Sequence, residues 1–492
     1  MASSVQSREV DVLVVGGGCS GVAAGIQAAR SGARTLVCEA TPWLGGMITA
    51  AGVSAVDGNE GALGGGIFRA FRDYVEGYYG GREAVRTGWV SNTCFEPQVG
   101  AKWFAETLRA AGAEVCHGAR LREVLRTGDT VQGAIFETAD GLLQVRARVT
   151  IEATEYGDVL HLGGVPYRFG RESRAETGEP HAPEVGDDEI QDLTMVATLR
   201  KFAGKAPPVA LPSGFDVGRF DCSTSQICSI QDAAYWNHKL HDWDSFLTYS
   251  LLPNGLFMLN WPFHSNDFPA QGLFGSPADR ERTIALAKQR TLAYVHYMQN
   301  HLGHPEWGLA EGIYPTNDHL PLLPYVRESR RVVPVRWMTE QDVVPQNGGK
   351  TNAVRADGVA VGDYYLDHHH DKDHRPPGQR LGEDYPANAP FQISFSAMQP
   401  RGIEGLIAAE KCIGVTHIVN GCSRLQPVAI LIGQAAGEAA AQAVRAKVGI
   451  HDLKVADLQR ALIAAGSQCV PDREVGCENP RFAARQAELL GL

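Results

Sequence analysis

Residues Gly16-Gly17-Gly18-Cys19-Ser20-Gly21 carry the spacing G-x-G-x-x-G. That spacing suits the holding of a diphosphate. Gly16 permits a tight turn, Gly18 lets the main chain approach phosphate oxygens, and Gly21 lets a helix pack close to a sheet. Cys19 and Ser20 stand between the glycines, and Cys19 reads as a packing residue among small neighbours. Glu39 follows at the distance where a carboxylate accepts hydrogen bonds from ribose hydroxyls. A second glycine loop, Gly45-Gly46-Met47, comes just after. No cysteine lies between Gly45 and Val56, which argues against a redox disulfide there.

Proton transfer calls for a group that titrates near neutrality, and histidine is the usual one. His369, in Asp367-His368-His369-His370-Asp371, is the first choice for a base, and His417 the second. A solvated loop histidine and a structural hydrogen-bonding group are the plain alternatives. Arg327, Arg330, Arg331 and Arg401 could clamp a carboxylate with two parallel hydrogen bonds, Arg424 could face a bound cofactor, and each could equally serve as an ordinary salt bridge. His370 and His374 have the i, i+4 spacing of a metal pair, which works only on a helix. Pro376-Pro377 argues against that helix, so no metal is expected. Tyr235, Trp236, Trp243, Trp261 and Tyr364 would wall a site or fill a core. The ten cysteines contain no C-x-x-C pair and read mainly as buried small hydrophobes.

The elements that must position these residues follow from hydrophobic patterning. Residues 10–15 form an apolar run suited to a buried parallel strand, 22–29 an alanine-rich helix, and 35–38 a second strand. Residues 96–111 read as an amphipathic helix. Four alternating segments, 114–116, 121–126, 131–138 and 142–149, predict a small antiparallel meander, and 149–154 a return to a buried strand. Residues 276–302 predict the best helix of the middle region, 405–409 a strand, 414–424 a loop, and 426–444 a helix rich in Ala and Gly.

A chain of 492 residues has room for two to four domains at about 100–200 residues each. Its net charge of −11, with no basic block, disfavours nucleic-acid binding. No apolar run approaches the roughly 20 residues needed to span a bilayer. Residues 1–9 are polar and lack the apolar middle of a secretory signal, so a cytoplasmic location is expected. Oligomeric state is left open.

Four separated motifs resemble the FAD-dependent oxidoreductase family, within the glutathione-reductase-type flavoproteins and close to the group often described as xanthan-lyase-like. They are residues 14–21 closed by Glu39 and Gly45-Gly46-Met47, Phe95-Glu96-Pro97, residues 151–158 (Ile-Glu-Ala-Thr-Glu-Tyr-Gly-Asp), and residues 400–406 through Gly433-Gln434-Ala435-Ala436-Gly437. The resemblance implies an α/β fold: a Rossmann-type FAD domain split between 1–165 and 391–446, an inserted α+β substrate or cap domain at 166–390, and a helical extension at 447–492. It implies FAD bound extended. The adenine end would lie near Glu39, Ala40 and Leu121, and the diphosphate over Gly16 to Gly21 beside Ala153 and Thr154. The flavin would meet Gly45, Gly46, Met47, Pro427 and a helix start near Gly433, Ala435 and Ala436. Two places depart from the pattern: Glu155, where many relatives carry glycine, and Lys411-Cys412, where an arginine-containing turn is common.

The expected activity is transfer of hydride from an alcohol or amine C–H of a small polar substrate to flavin N5, with O2 or another acceptor taking the electrons. His369, His417 and Arg401 are the candidate catalytic groups. A flavin monooxygenase or halogenase is the second reading, although no second G-x-G-x-x-G and no W-x-I-P stretch occurs. A catalytically silent flavoprotein acting as a binding module is the third.

Overall fold

The computed structural model describes residues 5–59, 65–229, 241–262, 264–345, 351–370, 385–472 and 475–492. The chain opens with β1 (Val5–Val15), whose carboxyl half is buried, as the apolar run requires. The glycine turn leads into α1 (Cys19–Arg30) and then β2 (Thr35–Glu39), parallel to β1 with Val12 opposite Thr35. Helices α2 (Gly66–Tyr79) and α3 (Pro97–Ala110) follow. Then come β3 (Glu114–His117), β4 (Arg120–Thr127), β5 (Thr130–Thr138) and β6 (Gly141–Glu152).

The meander is narrower than its pattern predicts. β4, β5 and β6 pair antiparallel, but β3 leaves them and lies parallel on the outer edge of β2. β6 is also one strand where two were expected. One edge runs parallel to β1 along its whole length, from Leu142 to Glu152. Its other edge holds β5 as far as Arg146, then changes partner.

The middle region builds a separate four-stranded sheet from β7 (Ala197–Lys201), β8 (Leu251–Leu252), β9 (Leu256–Leu259) and β10 (Trp307–Leu309), in the order β8-β9-β7-β10. Helix α4 (Pro277–Asn300) packs over it. It is capped by Ser276, whose hydroxyl accepts from the Asp279 N–H, while the Asp279 carboxylate accepts from the Ser276 N–H. Trp261 is fully buried in this core, and its indole N–H donates to Ser223 O. Trp243 stacks on His304. Both are packing residues. Tyr235, Trp236, His374 and residues 61–64 lie outside the described residues.

The chain then returns to the first sheet. β11 (Leu406–Ala408) pairs parallel with Thr150 to Glu152 of β6, filling the edge that β5 leaves. Residues 414–424 are not simply a loop: α5 (His417–Ser423) forms there, with the Thr416 hydroxyl accepting from the Val419 N–H. Helix α6 (Gln426–Ala446) follows, and α7 (Val455–Ala464) packs on it. α6 crosses α1 with main chains nearly touching. A Cβ on Gly433 would meet Ser20 O at 2.1 Å, and one on Gly437 would meet Ala24 O at 2.3 Å. Ser20 Oγ donates to Ala429 O across the same contact, at 2.5 Å.

Cys222 and Cys228 are joined by a disulfide, while Cys19, Cys38, Cys94, Cys412, Cys422 and Cys469 are buried free thiols, as the reading of the cysteines mainly as packing residues expects. No helix of the described residues is long and apolar enough to cross a membrane.

Candidate functional site

The glycine turn is as tight as its spacing predicts. Gly16 has φ 95°, and a Cβ there would meet Ala153 O at 2.3 Å; one on Gly21 would meet Gly16 O at 1.9 Å. Glu39, at the end of β2, accepts from the Gly17 N–H at 2.6 Å and from the Thr41 N–H at 2.8 Å. Gly45 N–H donates to Gly17 O at 2.8 Å, which draws the second glycine loop against the first, and Cys19 Sγ donates to Gly45 O at 3.2 Å. Ala153 N–H donates to Val15 O, so Ala153-Thr154 also flanks the turn. The Ala119 N–H donates to Glu39 O, which ties the start of β4, with Leu121 on it, to the end of β2, and Ala40 beyond it is exposed.

These residues fit a dinucleotide: a cradle that only glycine can line, the amino end of α1 above it, and a carboxylate at the tip of β2. Burial pushes the thiols of Cys19, Cys412 and Cys422 up, so none is poised as a thiolate.

α6 starts at Gln426, so Gly433, Ala435 and Ala436 lie in its second and third turns, not at its start. Gly433 owes its small size to the α1 contact. The end of α6 that faces the middle region carries Gln426 and Pro427.

A second cluster assembles at that end. His369 Nδ1 lies 2.7 Å from Asp267 Oδ2, and its Nε2 lies 3.1 Å from Asp367 Oδ2. Arg327 pairs with Asp267 at 3.1 Å, and Arg424 pairs with Asp367 at 2.9 Å. Arg424 Nη1 also donates to Tyr325 Oη at 2.6 Å, and the Arg327 guanidinium lies 4.7 Å from the centre of that ring. The chain of charge therefore runs Arg327, Asp267, His369, Asp367, Arg424. Salt bridges and hydrogen bonds hold the Asp267 and Asp367 carboxyls far below the usual range despite their burial.

His369 is thus held between two carboxylates, Asp267 at Nδ1 and Asp367 at Nε2, and both of its ring nitrogens are engaged within the clamp.

Asp57 stands beside the clamp. Its main-chain N–H donates to Gln426 Oε1 at 3.1 Å, fixing it to the start of α6. Its carboxyl makes no hydrogen bond or ion pair with any described residue. Burial pushes the carboxyl up to about 7, against the pull of Arg424, His369 and Arg327. Tyr249 and Tyr364 face the same charges.

The segment 367–370 alternates. Asp367 and His369 face this cluster, while His368 and His370 face the opposite way, toward His417. His417 Nδ1 lies 2.9 Å from Glu328 Oε2, and its main-chain N–H donates to Glu172 Oε2 at 2.9 Å. Burial pushes its imidazole well below the usual range. His417 thus belongs to a different cluster from His369, on the wall of a cavity of about 290 Å³ with Arg171, Glu172, His181 and Tyr385.

Arg401 does not reach either cluster. It is exposed, and its guanidinium donates to Pro334 O and Val335 O. Of the Arg327-Arg330-Arg331 group only Arg327 joins the clamp. Arg330 binds Tyr156 O and Asp158, and Arg331 binds Glu172 and Glu328. Among the described residues no group of three or more His, Cys, Asp or Glu is arranged to hold a metal ion.

Comparison with known proteins gives one family match and a set of distant structures. The pattern of the FAD dependent oxidoreductase family matches residues 11–462. No curated protein matches the sequence. A geranylgeranyl bacteriochlorophyll reductase-like protein from Thermoplasma acidophilum is 13% identical over 99% of this chain and 89% of its own, with a TM-score of 0.41. OxyS anhydrotetracycline hydroxylase from Streptomyces rimosus is 17% identical over 40% of this chain and 38% of its own, with a TM-score of 0.27. The flavin-dependent brominase Bmp2 is 16% identical over 41% and 48%, with a TM-score of 0.28. The chain spans less than half the length of the last two.

Proposed function

The chain belongs to the FAD dependent oxidoreductase family, and from that premise we propose that it oxidises an alcohol or amine C–H of a small polar substrate, as an oxidase or dehydrogenase, with O2 or another acceptor receiving the electrons. The glutathione-reductase-type likeness is part of the same reading. FAD, when bound, supplies the hydride acceptor. Gly16 to Gly21, Glu39, Gly45 to Met47, Ala153-Thr154 and the Gln426-Pro427 end of α6 are the residues that would hold it.

The observation that carries the reading is the Asp57 carboxyl, unpaired among the described residues, beside the Arg327–Asp267–His369–Asp367–Arg424 clamp. Asp57 takes the proton of the substrate hydroxyl or amine at its carboxylate oxygen. Arg424 and Arg327, fixed by Asp367 and Asp267, bind and orient the polar end of the substrate. His369 locks the two aspartates at their separation and acts as a positioning residue. Tyr249 and Tyr364 exclude water.

Anaerobic mixing of the holoprotein with amino acids, hydroxy acids and sugar alcohols tests this. Bleaching of the flavin without NAD(P)H supports the proposal. Bleaching only with NAD(P)H, or none at all, overturns it. For a bleaching substrate, the reduction rate is expected to rise with pH through about 7 and level off, because Asp57 must be ionised to accept a proton. Asp57→Asn is expected to slow reduction about 10²-fold and erase that inflection.

A further inference from the structure

Three ionisable side chains that the proposed reaction does not use stand at the phosphate end of the nucleotide cradle. Glu410 is 1% exposed and sits in the left-handed backbone region, with φ 54°. Its Oε2 accepts from the Ser20 N–H, in the first turn of α1, at 2.6 Å. Lys411 is 2% exposed, and its Nζ lies 3.0 Å from Glu410 Oε1 and 2.7 Å from Glu155 Oε2. A Cβ on Gly18 would come 3.3 Å from Glu155 Oε1 and 3.5 Å from Glu410 Oε2, and one on Gly46 would come 2.7 Å from Glu155 Oε1. Both carboxylates thus reach into the space between the two glycine loops. Glu155 Oε1 has no hydrogen-bond partner among the described residues.

The N–H groups at the start of α1 are the ones a diphosphate would need. Two anions cannot share them. The backbone gives no reason for an acid at position 410, since left-handed φ is easier for glycine than for glutamate. We propose that Glu410 is an internal competitor of the cofactor's diphosphate for the amino end of α1, and that Lys411 is the counter-charge both anions use. In the apoprotein Glu410 caps α1 and pairs with Lys411. When FAD binds, the Glu410 carboxylate gives up the Ser20 N–H, and Lys411 then faces the phosphates. The inference rests on the FAD reading above.

The test is FAD titration of the full-length chain stripped of flavin, followed by flavin fluorescence. Glu410→Gln keeps the size of the side chain and removes its charge. It is expected to lower the Kd for FAD about tenfold or more, the scale of one like-charge contact in a partly buried site. Glu410→Gly is expected to do the same, and Lys411→Met to raise the Kd by about as much. Adenosine, which lacks phosphate, is expected to bind wild type and Glu410→Gln alike. A Kd for FAD within twofold of wild type in Glu410→Gln overturns the proposal alone, as does an equal gain for adenosine. Failure of wild type and every variant to bind FAD overturns the cofactor reading with it.

Discussion

Gly433→Val is expected to cost about 3 kcal/mol or more and to yield protein without bound flavin. The Cβ would fall 2.1 Å from Ser20 O, a main-chain atom that no rotamer change can move aside. α6 would have to rise off α1, breaking the Ser20 Oγ bond to Ala429 O. Ser20 is also in the glycine turn, so the same shift opens the cradle. Urea unfolding reads the stability, and the visible absorbance of the purified protein reads flavin retention. Gly77→Ala is the contrast. Gly77 lies in α2, and a Cβ there would have nothing within 4 Å, so alanine is expected to stabilise by up to about 1 kcal/mol. If the two variants have equal stability, close helix packing is not the reason for glycine at 433.

Arg331→Met is expected to destabilise the fold by about 3–5 kcal/mol, the usual cost of removing one partner from a buried ion pair. Arg331 is 0% exposed and lies 3.1 Å from Glu172 Oε1 and 3.4 Å from Glu328 Oε1. It also donates to Gly170 O and Val415 O. Methionine fills the volume but leaves two carboxylates uncompensated. The deficit is expected to depend on pH. Burial already raises the Glu328 carboxyl in spite of Arg331, and losing the arginine raises it further. A carboxyl with a raised folded-state pKa favours the fold at low pH and loses that benefit as pH rises through the folded value. The gap between variant and wild type is therefore expected to shrink as pH falls from 8 to 5. A gap that is constant across that range counts against the ion-pair account.

The sequence makes the nucleotide cradle legible because its signals are local. Strand, glycine turn, helix, strand and Glu39 lie within 40 residues, and the spacing alone marks the turn; Gly21 meets Gly16 within the motif, although the clash at Gly16 is with Ala153 from β6. The second cluster is not local. His369 is recognisable as acid–base chemistry, but Asp267, which occupies its Nδ1, is 102 residues away. Nothing near either residue announces the pairing. Asp57 ends an apolar run beside a glycine, a faint local cue, while its place at the start of α6 depends on Gln426, 369 residues on. α5 escapes because all seven residues from His417 to Ser423 are buried, the polar His417, Asn420 and Ser423 included, so its short stripe does not mark a solvent face. Thr416 before the helix is the cue that could have found it. Arg401 misleads for the converse reason: an arginine in a motif says nothing about where its side chain points.

The divided edge of β6 sets an order of events during synthesis. Glu152 leaves the ribosome about 250 residues before Ala408, its partner in the finished sheet. At roughly 5–20 residues per second, the edge of that strand facing away from β1 waits on the order of ten to fifty seconds for its partner. Chaperone cover during that interval, or premature pairing between nascent chains, is what this topology asks of the cell that makes it.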